Sequence, residues 1–254
     1  MAKVVFLGTS SSIPTKGRDN TSFLFTGKKE TFLIDCPGSI CQKLLKAGYD
    51  FRKLRNIIIT HEHPDHIYGL VSLIHTQAYF NKILNIFTNS SCIRIINKLI
   101  KIFDLNRKHY PAVSLINVFG KSSFYQSKSL ILSAIRNKHV RSSFGIRFDF
   151  GKKTLLYSSD TALSDNIIKQ ASLADYLIHD CTASSYYFRK HSKLYKIHTC
   201  AKDLALSLEH LTHTRLIPIH FLLMNRNEYG RIRKELRPLG KRCIFAKDFD
   251  SLNL

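Results

Sequence analysis

Ile57-Ile58-Ile59-Thr60-His61-Glu62-His63-Pro64-Asp65-His66 is the stretch whose reading decides the fold. An apolar, β-branched run ends in three imidazoles and two carboxylates. Ile57 to Ile59 read as a buried strand. Pro64 stops that strand and opens a turn or a helix start. The polar cluster therefore sits at the C-terminal lip of a strand. His61 and His63 are two apart and project to the same side of an extended strand end. Asp65 and His66 follow on the turn and face a second point close by. Imidazole suits Zn, Fe and other first-row metals, and carboxylate adds charge for Zn or Mn. So many polar groups beside an apolar strand cost desolvation unless something pairs them, which argues against a chance surface turn.

Upstream, Lys3 to Gly8 reads as a strand followed by a Ser-rich loop with Pro14 and Gly17. Thr21 to Phe25 and Thr31 to Ile34 read as two more strands, turned at Gly27-Lys28-Lys29. Asp35 closes the third strand, either capping a turn or holding a ligating histidine. Ser39 to Ala47 fits a short helix stopped by Gly48.

Downstream, Ile67 to Phe80 continues as one largely apolar, helix-like segment, with His75 packed or exposed inside it. Leu84 to Phe87 is a strand. From Ser90, read as an N-cap, the residues Cys92, Ile95, Ile96, Leu99 and Phe103 recur at helical spacing, with Arg94, Lys98 and Lys101 on the other faces. Leu115 to Val118, Leu130 to Ile135, Phe144 to Phe148 and Thr154 to Tyr157 read as strands, the last two turned at Gly151-Lys152-Lys153. A helix from Ser164 to Ala171 and a strand from Tyr176 to Ile178, running on into His179-Asp180, follow. Thr199 can cap a helix whose apolar face is Ala201, Leu204, Ala205, Leu208 and Leu211. Arg215 to Ile219 is the next strand. The segment from Arg226 to Arg242 is polar and basic: a solvated helix face or a flank that contacts phosphate.

Strands dominate both halves with helices between them, and no repeat or linker divides the chain. Two β-sheets with helices outside would give this pattern, as a single domain over residues 1–254. His139, Asp160 and His220 each follow an apolar strand and precede turn residues, as His61 does. Each alone could be a structural polar group.

The composition is that of a globular protein: 254 residues, 44% hydrophobic and 22% charged, with no apolar run of the roughly 18 residues a membrane span needs. The amino terminus enters a strand-and-turn pattern directly, which reads as no signal peptide. The six cysteines include no C-x-x-C pair, so zinc-knuckle and redox motifs are excluded, and reduced thiols in a cytoplasmic protein are expected. The formal charge of +21 favours phosphate-bearing partners over the alternative, a lysine-rich background that only aids solubility.

The spacing His61-x-His63-x-Asp65-His66 resembles the signature of the metallo-β-lactamase-fold hydrolases. Phe6-Leu7-Gly8-Thr9-Ser10, Ile13-Pro14-Thr15 and Asn20-Thr21-Ser22 resemble the amino terminus of ribonuclease Z and its relatives. The resemblance implies an α/β fold, a four-layer αββα sandwich with its site at the sheet edges. It implies two divalent metal ions, Zn or Mn, as cofactors. His61, His63 and His139 would hold one; Asp65, His66 and His220 the second; Asp160 would bridge them. Asp35 would hydrogen-bond a ligating histidine. His198 would contact the scissile phosphate or protonate the leaving oxygen, and Asp65 would both ligate and accept a proton. A hydroxide between the metals would attack phosphorus.

The expected activity is phosphodiester hydrolysis in RNA or a nucleotide. The alternatives are a small-molecule cyclic-phosphate phosphodiesterase and a metal- or nucleic-acid-binding protein without turnover. A homodimer is compatible with this reading, and no membrane partner is expected. Four departures from the resembled families stand out. Ser159 replaces the usual Gly before the bridging Asp. Residues 139–160 leave no room for the long arm that grips transfer RNA. The cysteine cluster near the amino terminus of the cyclic-phosphate enzymes is absent. The carboxylate expected to steer His198 is not evident near Tyr157.

Overall fold

The computed structural model describes residues 2–80 and 82–254. In the first half, β1 (Lys3–Gly8), β2 (Ser22–Thr26) and β3 (Thr31–Ile34) lead to α1 (Ile40–Lys46) and β4 (Asn56–Ile58). Then come α2 (Pro64–Ile67), α3 (Leu70–Thr76), β5 (Ile83–Thr88), α4 (Ser90–Ile102) and β6 (Ala112–Asn117). The second half runs β7 (Tyr125–Gln126), β8 (Ile131–Arg136), β9 (Phe144–Phe150), β10 (Lys153–Tyr157), α5 (Asp165–Ala171) and β11 (Tyr176–Asp180). It closes with α6 (Ser185–Lys190), α7 (Ala201–Leu208), β12 (Arg215–Ile219), α8 (Glu228–Glu235) and β13 (Ser251–Asn253).

Two sheets form, in the orders β13-β1-β2-β3-β4-β5-β6 and β12-β11-β10-β9-β8-β7. Strand alternation assigns the layers. Phe23 and Phe25 of β2 face the second sheet, while Leu24 between them faces the helices. Phe25 meets Phe148 at 4.7 Å between ring centroids, and Phe23 meets Tyr157 edge-on at 5.0 Å. This aromatic layer between the sheets is the central core. A second apolar layer joins the first sheet to α1, α3 and α4, and a third joins the other sheet to α5, α7 and α8. The result is helix, sheet, sheet, helix: the αββα sandwich. All five apolar positions expected to face inward on and after α7 are buried in the third layer.

The strand directions create the site. β3, β4, β5 and β6 are mutually parallel, as are β10, β11 and β12. β8 and β10 both pair antiparallel with β9, so they also run the same way. Carboxyl ends thus gather at one edge of each sheet, the edge where open α/β sheets bind ligands.

The structure corrects some local expectations. The segment after the histidine motif is broken at Tyr68-Gly69 into α2 and α3. The break is steric: a Cβ on Gly69 would lie 2.0 Å from the Pro37 carbonyl oxygen, so only glycine lets α3 start there. Asn89, not Ser90, caps α4, its side chain accepting from the Cys92 amide. Cys200, not Thr199, occupies the cap position of α7; Thr199 instead donates to the Thr161 carbonyl at 2.7 Å. Both differences are of one residue at a helix start. The six cysteines are free thiols. Among the described residues, no helix is long and apolar enough to cross a membrane.

Candidate metal centre

Strand ends deliver every side chain of the site. Asp35 follows β3, His61 lies three residues beyond β4, and His139 three beyond β8. Asp160 lies three beyond β10, and His220 directly follows β12. His63 enters α2, whose first turn carries Asp65 and His66.

These groups converge. His61, His63, His139 and Asp160 offer ligand atoms that all lie within 4.8 Å of one another, and so do those of Asp65, His66 and His220. His63 Nδ1 stands 3.1 Å from His61 Nε2 and 3.0 Å from His139 Nε2. Asp160 Oδ2 is close to both groups: 3.8 Å from His61 Nε2, 3.9 Å from His139 Nε2, 3.4 Å from His66 Nε2 and 3.0 Å from His220 Nε2. Asp65 Oδ2 lies 3.5 Å from His66 Nε2 and 3.8 Å from His220 Nε2. The seven residues singled out in the sequence therefore cluster at one place, with Asp160 between the two groups.

The outer nitrogens fix the tautomers. His66 Nδ1 contacts Asp35 Oδ2 at 2.9 Å, and His139 Nδ1 donates to the Ile197 carbonyl at 2.8 Å. His61 Nδ1 lies 3.1 Å from Thr60 Oγ1, and His220 Nδ1 lies 3.2 Å from Thr182 Oγ1. Each of these four rings thus turns its Nε2 inward, the orientation that metal-ligating histidines take from such partners. Nε2 of His66 and of His220 and Oδ1 of Asp160 are buried with no hydrogen-bond partner. Buried polar atoms left so are costly, and a cation is what this donor set would satisfy. A divalent ion fits these residues.

The electrostatics agree. Burial pushes the Asp160 and Asp65 carboxyls up, but the neighbouring His220 and His66 outweigh it and hold both well below the usual range. Burial pushes His61 and His139 down. His220 is pushed up to about 10, because Asp160 and Asp65 outweigh its burial; His66 also rises, drawn by Asp160 and Asp35. The carboxylates make the centre of the cage a place for positive charge.

Three corners are held in the left-handed backbone region: Asp35 at φ 59°, Ser159 at φ 54° and His220 at φ 64°. Such residues cost about 1–3 kcal/mol each and persist where surrounding bonds over-determine them. Here Asp35 accepts from the Thr60 amide at 2.9 Å and from the Thr60 hydroxyl, and the Ser159 hydroxyl donates to Thr60 Oγ1 at 2.9 Å. The conformation of Ser159 explains why glycine would be the easier residue there.

His198 stands at the edge of this cage, its side chain 13% exposed. Its ring stacks on His220 at 5.2 Å and 21°, and its Nδ1 lies 2.8 Å from Asp180 Oδ2. Asp180 is the carboxylate beside His198 that the sequence reading did not find. Its carboxylate also accepts from the Thr182 hydroxyl at 2.7 Å and the Thr161 amide at 3.1 Å. Burial pushes the Asp180 carboxyl up, but His198 and His220 outweigh it and hold it below the usual range. The signal was present: Asp180 ends β11, which lies between the strands that deliver Asp160 and His220. His75, His191, His210 and His213 are exposed and outside the site, while His179 is buried with Nδ1 donating to the Asp180 carbonyl at 2.6 Å.

Residues 2–221 match the family described as Anti-Pycsar protein Apyc1. The chain belongs to that family. This Apyc1-family chain is 27% identical over 226 residues to the ribonuclease Z of Picrophilus torridus, covering 71% of this chain and 73% of that protein. Human tRNase Z, short form, superposes with a TM-score of 0.77 at 20% identity, over 99% of this chain and 98% of that one. The metallo-β-lactamase fold protein YhfI from Bacillus subtilis gives a TM-score of 0.83 at 20% identity over the whole of both chains. The two structural likenesses establish the metallo-β-lactamase fold.

Proposed function

We propose that this chain hydrolyses a phosphodiester bond of a small nucleotide, a cyclic one above all, with His61, His63, His139 and Asp160 holding one divalent cation and Asp65, His66, His220 and Asp160 a second. Zn and Mn both suit that mixed set of imidazole and carboxylate. Cations bound there lower the pKa of water toward neutrality and offset charge on the phosphoryl oxygens. The chain's own residues do the rest. Asp35, Thr60, Thr182 and the Ile197 carbonyl hold the ligating rings in position. Asp180 holds His198 with Nδ1 toward its carboxylate, which leaves Nε2 free to hand a proton to the leaving oxygen. Asp65 is placed to accept a proton in the same cycle.

The observation that carries this reading is the Asp180–His198 pair at the rim of the seven-residue cage. It supplies a positioned acid, which a binding protein without turnover does not need. The small substrate is supported by the β9–β10 hairpin. Only Gly151 and Lys152 separate those strands, so no arm projects between His139 and Asp160. A second reading, RNA as substrate, is supported by the charge of +21 and by the name of the Picrophilus torridus relative.

The test is purified protein loaded with Mn or Zn, assayed on cyclic nucleotides, bis-p-nitrophenyl phosphate and a precursor transfer RNA. Cleavage of the small esters and not of the RNA is expected. Cleavage of the RNA alone would replace this reading with the second. No turnover of any phosphodiester by the metal-loaded protein would overturn both.

A further inference from the structure

Ser159 occupies a position where glycine is the easier residue, yet it carries a side chain into the interior. Its backbone sits in the left-handed region at φ 54°, and the residue is buried. A side chain in that region costs free energy that the surroundings must offset. What the serine supplies in return is its hydroxyl.

The turn that presents Asp160 is shaped without that hydroxyl. Asn137 Nδ2 donates to the Ser158 carbonyl at 3.0 Å and to the Asp160 carbonyl at 3.1 Å. The Ser158 hydroxyl donates to the Ser159 carbonyl at 2.7 Å, and the Thr161 amide donates to Asp180 Oδ2 at 3.1 Å. All four bonds lie within the half of the chain that builds the second sheet, and none uses the Ser159 side chain. Glycine could therefore take the same conformation in the same turn.

The Ser159 hydroxyl crosses to the first sheet. It donates to Thr60 Oγ1 at 2.9 Å, joining the turn after β10 to the turn after β4. Counting protons shows what this bond completes. Thr60 has one hydroxyl proton and gives it to the Asp35 carboxylate at 3.0 Å. Its oxygen keeps two lone pairs. One accepts from Ser159; the other accepts from His61 Nδ1, 3.1 Å away. The proton of His61 is therefore on Nδ1, and its Nε2 faces the cage as a bare acceptor. One threonine oxygen thus receives both the histidine that belongs to the first group and the residue that precedes the bridging carboxylate. Asp160 Oδ2 stands 3.8 Å from His61 Nε2 and 3.4 Å from His66 Nε2, and those spacings depend on how the two turns sit against each other.

We propose that Ser159 is a positioning residue of the metal centre: its hydroxyl, through Thr60, fixes the bridging Asp160 against His61 and His66, a tie that glycine at this position cannot make. The inference rests on the two-cation reading above and deepens it.

The test compares Ser159→Gly with Ser159→Ala in the full chain. Both remove the hydroxyl, and only glycine also relieves the left-handed backbone. Three quantities are measured: the denaturation midpoint of the metal-free protein, the affinity for Mn or Zn by calorimetric titration, and kcat on bis-p-nitrophenyl phosphate. Ser159→Gly should unfold later than Ser159→Ala. Both should nevertheless bind the ions about 10-fold more weakly and turn over about 10-fold more slowly than wild type, the lower end of the cost of removing a group that orients metal ligands. A residue that served folding alone would make affinity and rate follow the midpoint. Wild-type affinity and kcat in Ser159→Gly, or losses that track the midpoint across the two variants, would overturn the positioning role and leave the two-cation reading standing. Wild-type protein that binds no ion would overturn that reading, and this inference with it.

Discussion

Replacing Asp180 by Asn tests the proposed role of the contact with His198 that the structure added to the sequence. The carboxylate has four uses for its two oxygens. Oδ2 faces His198 Nδ1 at 2.8 Å and the Thr161 amide at 3.1 Å; Oδ1 accepts from Thr182 at 2.7 Å and lies 3.9 Å from His220 Nδ1. An Asn can keep its oxygen toward His198 and Thr161 and turn its amide toward the Thr182 hydroxyl, which can rotate to accept. Folding should survive, at a cost of about 1–3 kcal/mol. What is lost is the charge that supports a charged imidazole during proton transfer. A hydrogen bond to an ionised group is worth about 1.5–3 kcal/mol, which is roughly 10- to 150-fold in rate.

Asp180→Asn should therefore lower kcat on bis-p-nitrophenyl phosphate by roughly 10- to 150-fold. His198→Ala should cost more, about 10²- to 10⁴-fold, the usual worth of a positioned acid. Metal content should remain that of wild type in both. Because Asp180 acts through His198, the double variant should be no slower than His198→Ala alone. Activity within twofold of wild type in Asp180→Asn, or additive losses in the double variant, would refute the dyad. Loss of metal would instead show that Asp180 serves the cage through His220.

Asp35→Ala should unfold the site from beneath: it strips partners from Thr60, Tyr157 and His66, all buried, at a cost of about 3–5 kcal/mol. Its check is the denaturation midpoint, with metal affinity falling in parallel. Lys43 gives a pH signature away from the metal centre. Burial holds its ammonium below the usual range, although Asp19 at 2.9 Å pulls the other way. The unfolded chain therefore binds more protons than the folded one between the lowered value and 10.5, so the destabilisation present at neutral pH is relieved as pH rises through that window. The buried cysteines and Tyr157, kept protonated by the fold, pull stability down over the same window, so unfolding measured across it should show stability falling less steeply with pH in wild type than in Lys43→Gln.

Much of the site was legible because its logic is local to strand ends. An apolar run that stops in His or Asp marks His61, Asp160 and His220 without any knowledge of the fold. The same rule marks Asp180, yet two neighbouring polar residues, His179 and Asp180, blurred where β11 ends. Long-range partners were invisible for a plainer reason. The Ile197 carbonyl that orients His139 is a backbone atom, and no side chain announces it. The four layers came from the family resemblance, and the alternation of Phe23, Leu24 and Phe25 in β2 supplies their physical cause. The break between α2 and α3 did not, because it depends on how closely Gly69 approaches Pro37, a contact made only after the chain has folded.

The most direct measurement is anomalous diffraction from crystals of the Mn- or Zn-loaded protein, collected at the metal edge. Two peaks should stand in the cavity, one among His61, His63 and His139, one among Asp65, His66 and His220, with Asp160 reaching both. A single peak, none, or density placed away from these side chains would contradict the account.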